Sequence, residues 1–181
     1  MSQGVTVDRI LRESFPHIEA GDPVSYFTEV GDAVQALMYS WLFWPKLLEI
    51  HGAVFLALHG NDESDIRERL YTPLGDMHPE WPPLSWNEAV DSFNVFEIPH
   101  LFRQVRGPIE LFSASHWELG KVLVQIWGAR LSVGFPNRRF SVCLIDADDS
   151  MDLRIQVSQA SPDLVIPAGW DNRRRSIITN K

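Results

Sequence analysis

The chain has 181 residues, of which 45% are hydrophobic and 22% charged, and its formal net charge is −8. This length and hydrophobic content are sufficient for one stable core and argue against a disordered chain. The single cysteine, Cys143, excludes an intramolecular disulfide and an all-cysteine zinc site, so a reducing, cytoplasmic environment is expected.

Helical periodicity is strongest over residues 24–44, where apolar residues recur every three or four positions. Asp22 supplies a capping side chain, Pro23 a first-turn proline and Pro45 a stop. One long helix is therefore predicted, with Trp41 on its core-facing side. A shorter helix is predicted before it, over residues 7–15.

Two apolar runs, residues 46–50 and 53–58, are joined by His51-Gly52 and predict a β-hairpin, because glycine accepts the positive φ of a tight turn. A short charged helix is predicted from Asp62 to about residue 70. Four prolines then forbid regular structure over residues 71–84, which predicts a loop that could act as a lid.

The second half of the chain repeats the order of helix, proline stop and hairpin. Ser85 with Glu88, and Ser115 with Glu118, have capping-box spacing and predict a short helix over residues 86–92 and a long one ending near residue 133. Strict alternation over residues 139–145 and 153–157 predicts a second hairpin with one buried face.

These elements predict an α+β fold in which two β-hairpins build an antiparallel sheet backed by two long helices, with additional short helices. Residues 1–160 are predicted to form a single domain. Residues 161–181 are predicted to be a tail whose apolar half docks on the domain and whose basic end hangs free. No run approaches the roughly 20 apolar residues that span a bilayer, and residues 1–18 lack a secretory signal pattern, so no membrane partner is predicted.

Charge is unevenly distributed along the chain. Four of the 16 basic residues lie in the last ten positions, which hold no acid, so residues 1–171 have a formal charge of −12. Such a surface repels phosphate backbones and argues against nucleic-acid binding. A basic partner protein is the natural complement, and the predicted partner-binding residues are the loop aspartates Asp146, Asp148, Asp149 and Asp152.

Familiar catalytic and cofactor motifs are absent from the sequence. Nucleophile-elbow, Walker and dinucleotide-binding motifs are missing. The six histidines include no metal-binding pair at helical spacing, so any metal site has to be assembled by the fold, and no metal or cofactor is predicted. Residues 146–157 begin like a calcium loop but have Met151 and Val157 where glycine and glutamate are needed. Cys143 is predicted to be a packing residue and His51 a turn residue.

Seven tryptophans are unusually many for a chain of this size. Trp117 and Trp127 lie on a predicted apolar helix face and are predicted to be core, as is Trp41. Trp81, Trp86 and Trp170 lie in or beside proline-rich or polar segments. They form the alternative site, an aromatic ligand pocket under the proline-rich loop.

The segment from Trp127 to Val142, a helix end that passes through Phe135-Pro136 into a strand, resembles segments of uncharacterised small bacterial proteins, some of which are associated with toxin-immunity loci. The resemblance covers about a tenth of the chain and implies a bacterial, non-enzymatic protein.

Three functions follow as hypotheses. The leading one is a non-catalytic protein-binding domain, of the kind that immunity-type inhibitors use against a basic partner. The alternative is a small-molecule-binding domain or an unrecognised enzyme with the aromatic pocket. The third is an oligomerising module, which predicts exposed apolar area. The sequence does not fix the oligomeric state.

Overall fold

The computed structural model describes residues 6–19, 22–59, 62–103 and 107–179. The helices within these ranges are α1 (Val7–Ser14), α2 (Pro23–Val30), α3 (Ala33–Phe43), α4 (Glu63–Tyr71), α5 (Leu74–Met77), α6 (Trp86–Phe93), α7 (Ile98–Leu101) and α8 (Phe112–Gly134), with a 3-10 turn at Ile109–Leu111. The strands are β1 (Leu47–Ile50), β2 (Ala53–Leu56), β3 (Val95–Glu97), β4 (Arg139–Ile145), β5 (Arg154–Ser161), β6 (Trp170–Asp171) and β7 (Ser176–Ile177).

The predicted α+β class is confirmed, with antiparallel pairing in each sheet of the described residues. The two predicted hairpins lie in different sheets: β1 pairs with β2, and β4 pairs with β5, which also pairs with β3. The turn of the first hairpin has positive φ at His51 (50°) and Gly52 (77°), as the sequence predicts.

Asn94 joins the two sheets. Its side-chain amide donates to the carbonyl oxygen of Val54 (2.9 Å) and accepts from the backbone N–H of Leu56 (3.1 Å). These two hydrogen bonds are of the kind that a neighbouring strand would make with the backbone of β2. Its own carbonyl oxygen accepts from the N–H of Val157 in β5 (3.1 Å). Asn94 is 1% exposed. One buried side chain therefore replaces the direct strand pairing that would have made a single sheet.

Two apolar clusters form the core of the part of the chain that the structure describes, and β2 separates them. Val54 and Leu56 pack with residues of α8 and of the β3–β5–β4 sheet in the first cluster. Ala53 and Phe55 point the other way and pack with α4 and α6 in the second. All four residues of β2 are buried, because successive side chains of a strand alternate between its two faces.

The single long helix predicted over residues 24–44 is wrong, because the chain forms two helices separated at Gly31 and Asp32. Gly31 takes an extended conformation in which a Cβ atom would lie 2.3 Å from the carbonyl oxygen of Phe27. Asp32 then caps α3 by accepting hydrogen bonds from two backbone N–H groups of its first turn. Glycine followed by a capping residue ends one helix and begins the next.

Two other helix starts agree with the sequence, whereas α5 lies in the proline-rich segment for which no regular structure is predicted. Asp62 caps α4, and the capping box of Ser85 and Glu88 opens α6. The predicted capping box at Ser115 is wrong: α8 begins at Phe112, and the Ser115 hydroxyl donates within the helix to the carbonyl oxygen of Leu111. Among the described residues no helix is both long and apolar enough to cross a membrane.

The basic end of the tail is attached to the proline-rich segment, so the expectation that it hangs free is wrong. Arg173 donates to the carbonyl oxygen of Pro79 (3.0 Å), and Arg174 pairs with the carboxylate of Asp76 (2.5 Å). Arg175 donates to the carbonyl oxygen of Pro82 (2.6 Å). Arg173 and Arg175 thus bind backbone oxygens of the proline-rich segment, and Arg174 binds an acidic side chain of that segment.

Candidate functional site

Helix α3 is attached to the protein through its carboxyl-terminal half. The indole N–H of Trp127, in α8, donates a 2.7 Å hydrogen bond to the carbonyl oxygen of Leu42. Leu42 and Phe43 pack against the first core cluster. The ring of Tyr39 lies 6.0 Å from that of Phe102. These contacts fix which side of α3 faces the core.

The other side of α3 is apolar and exposed. Val34, Leu37, Met38 and Trp41 follow helical spacing and are 75%, 69%, 54% and 74% exposed. We call these four residues the α3 stripe. No residue of α3 is buried and none is charged. A monomeric protein rarely leaves a contiguous apolar patch uncovered unless the patch binds something, so the α3 stripe is the candidate functional surface.

Charges of opposite sign flank the α3 stripe. Glu29 and Asp32 precede α3 and are exposed. At the other end Lys46 is exposed, and the guanidinium of Arg130 lies 5.3 Å from the ring centre of Trp44, itself 50% exposed. The surface is therefore acidic before α3, uncharged along it and basic after it.

The predicted partner-binding aspartates lie in the turn between β4 and β5, and all are exposed: Asp146, Asp148, Asp149 and Asp152. They differ in their surroundings. Asp148 accepts hydrogen bonds from the hydroxyl and the backbone N–H of Ser150 and forms a 2.7 Å salt bridge with Arg154. These contacts hold the pKa of Asp148 well below its usual range. The carboxylate of Asp148 therefore stabilises the turn itself. Binding of a basic partner by this loop stays a prediction.

The structure brings together two of the three tryptophans of the alternative site. The rings of Trp86 and Trp170 lie 5.3 Å apart, and both residues border a surface cleft of about 680 Å³. Trp86 is fully buried in the second core cluster. Trp81 does not line the cleft; it stacks on His78 with ring centres 4.0 Å apart. Binding of a small molecule in this cleft stays a prediction.

Two further residues singled out in the sequence, and one of the other histidines, have defined places. His51 lies in the β1–β2 turn as predicted. Cys143 is exposed on β4, with its Sγ 3.2 Å from the Ser141 hydroxyl oxygen, so the prediction that it packs is wrong. His116 lies within α8, and burial lowers the pKa of its imidazole.

The tryptophan predictions divide according to the side of the helix that meets the core. Trp127 is fully buried, as predicted. Trp41 is 74% exposed and Trp117 38% exposed, so for these two the core prediction is wrong. The sequence signal that was missed is the lack of charge on every side of α3, because a helix with one solvated face normally carries charged residues there.

No protein-family model, curated protein or solved structure matches the chain. The association with toxin-immunity loci accordingly stays a prediction. Among the surfaces of the described residues, the α3 stripe has the clearest physical signature of a binding site.

Proposed function

We propose that this protein is a non-catalytic protein-binding domain that associates with a second copy of itself through the α3 stripe. The observation that carries the proposal is the exposure of four large apolar side chains on an uncharged helix that is fixed to the core by its opposite side. Water exclusion from such side chains is the main driving force of association.

A second copy fits because the charges around the α3 stripe are self-complementary. Asp32 and Lys46 lie seven residues before and seven residues after Tyr39. When two α3 helices pack antiparallel about a two-fold axis near residues 38 and 39, the acidic end of each helix approaches the basic end of the other. Antiparallel packing also places the two helix dipoles in opposite directions, which is electrostatically favourable.

The expected affinity is moderate. Fully burying an apolar side chain contributes about 1.5–3 kcal/mol, so covering the α3 stripes of both copies contributes roughly 10 kcal/mol or more. Loss of translational and rotational freedom costs about 4–15 kcal/mol. A dissociation constant of about 1 μM needs a net gain of about 8 kcal/mol, which these two ranges allow, so the dilution series should span micromolar concentrations.

A lipid surface suits the α3 stripe less well than a second copy does. Helices that lie in a membrane interface have polar faces rich in lysine and arginine. Neither α2 nor α3 contains a basic residue; Glu29 lies within α2, and Asp22 and Asp32 precede α2 and α3. Anionic headgroups would therefore be repelled at the amino-terminal side of the surface.

Sedimentation equilibrium over a dilution series tests the proposal. We expect the wild-type mass to double at micromolar concentration and Leu37→Glu to remain monomeric, because the substitution buries one unpaired carboxylate of each copy in the interface. Val165→Glu is the matched control: Val165 is 79% exposed but lies outside the α3 stripe, so the control should dimerise normally.

The proposal fails if the wild-type chain stays monomeric throughout the series, or if Val165→Glu dissociates the dimer as strongly as Leu37→Glu. Under the hypothesis that the chain binds a basic partner through its acidic loop alone, the wild-type and Leu37→Glu chains should behave identically in this experiment.

A further inference from the structure

Three side chains able to bind a metal converge where β3 ends: Glu97, His100 and Asp152. Glu97 is the last residue of β3, and His100 follows in α7. Asp152 lies just before β5, which pairs with β3. Strand pairing therefore brings a residue more than fifty positions away beside the Glu97–His100 turn.

The ligand atoms of the three side chains lie within 4.8 Å of one another. The Nδ1 atom of His100 is 3.2 Å from Oε1 of Glu97. The backbone N–H of Asp152 donates to Oε2 of Glu97 over 2.8 Å. The Glu97 carboxylate is thus held from both sides and is 20% exposed, while His100 and Asp152 are exposed and reachable from solvent.

Arg154 forms its ion pair outside this cluster. Arg154 directs one terminal nitrogen to the carboxylate of Asp148 (2.7 Å) and the other to the backbone oxygens of Asp146 and Asp152. A divalent cation would relieve the repulsion between the neighbouring carboxylates of Glu97 and Asp152.

We propose that Glu97, His100 and Asp152 form a binding site for a divalent transition-metal ion, of which Zn²⁺ is the test case. One imidazole nitrogen and two carboxylate oxygens suit zinc and similar ions better than Mg²⁺ or Ca²⁺, which prefer oxygen ligands alone. Three protein ligands leave a coordination position for water or another ligand. The bound ion would tie α7 to the β4–β5 turn.

The site is separate from the α3 stripe, so the proposal stands or falls independently of dimerisation. It also removes Asp152 from the set of aspartates free to meet a basic partner, because a metal-bound carboxylate no longer contributes a net negative charge to the loop. Asp146 and Asp149 keep theirs.

Titration calorimetry with zinc chloride on the full chain, after dialysis against a chelator and into a buffer that does not bind zinc, tests this site. We expect one Zn²⁺ per chain, and affinity at least about tenfold weaker in His100→Ala and in Asp152→Asn. Both replaced side chains are exposed, so the variants should fold, and circular dichroism checks that they do.

His78→Ala is the matched control. The Nδ1 of His78 lies 3.5 Å from the carboxylate of Glu80, an exposed pair of the same residue types, but among the described residues no third ligand converges on it. Zinc affinity should be unchanged in this variant and in Leu37→Glu. Absence of zinc binding to the wild-type chain, or equal binding by the wild-type, His100→Ala and Asp152→Asn chains, overturns the proposal.

Discussion

Replacing Trp127 with alanine is expected to lower the free energy of unfolding by about 3–5 kcal/mol. The ring is fully buried and packs edge-on against Phe96, with ring centres 5.2 Å apart. Truncation leaves a cavity in the first core cluster, and it leaves the carbonyl oxygen of Leu42 without the indole hydrogen bond that holds α3. Urea denaturation followed by circular dichroism measures the loss.

Trp41→Ala is the control for Trp127→Ala, because Trp41 has the same ring on the exposed side of α3. Both variants are best made in the monomeric Leu37→Glu background, so that dimerisation does not contribute. There Trp41→Ala should change the free energy of unfolding by less than about 1 kcal/mol. Equal losses for the two tryptophans would mean that α3 packs inward, and the α3 stripe would then not be a surface.

Asn94→Leu is expected to lower the free energy of unfolding by about 2–4 kcal/mol, although leucine is apolar and branches at the same carbon atom as asparagine. The substitution leaves the carbonyl oxygen of Val54 and the N–H of Leu56 buried without partners, and each unsatisfied group costs about 1–3 kcal/mol. The same urea titration measures the change.

Asn87, exposed in α6, provides the comparison for Asn94. Asn87→Leu should alter the free energy of unfolding by no more than about 0.5 kcal/mol. A loss below about 1 kcal/mol in Asn94→Leu would show that β2 does not depend on this side chain, and that the two sheets are held together by apolar packing alone.

Local signals predicted the local structure well. His51-Gly52 marks the β1–β2 turn, and Ser85 with Glu88 marks the start of α6, because turn and capping geometry is decided by residues close in sequence. Alternation likewise identified the buried side of β5, where Ile155 and Val157 are buried, as is Leu153 just before the strand. These features need no information about distant parts of the chain.

The orientation of α3 could not be predicted in the same way. Periodicity identifies an apolar side of a helix, but it does not tell whether that side meets the core or a partner. In α3, Leu42 and Phe43 pack against the core. The α3 stripe, which contains Leu37 and Trp41, is exposed to solvent although its spacing is more regular. The hydrogen bond from Trp127 that fixes this choice joins residues 85 positions apart.

Long-range contacts also explain why the sequence did not predict the burial of Trp86 or the proposed metal site. Trp86 is buried because the tail brings Ile177 and Trp170 onto the second core cluster, and the neighbouring prolines give no indication of this in the sequence. Asp152 reaches Glu97 only through the pairing of β3 with β5. A ligand set divided between segments this far apart has no spacing motif.

Disulfide trapping tests the two-fold pairing of α3 most directly. In a Cys143→Ser background, which removes the native exposed thiol, Met38→Cys places one cysteine near the proposed axis, and Val24→Cys places one at a similarly exposed site on α2. Mild oxidation should convert Met38→Cys at micromolar concentration into a covalent dimer and leave Val24→Cys monomeric. Equal, concentration-independent yields for the two variants, or no dimer from Met38→Cys, would contradict antiparallel association through the α3 stripe.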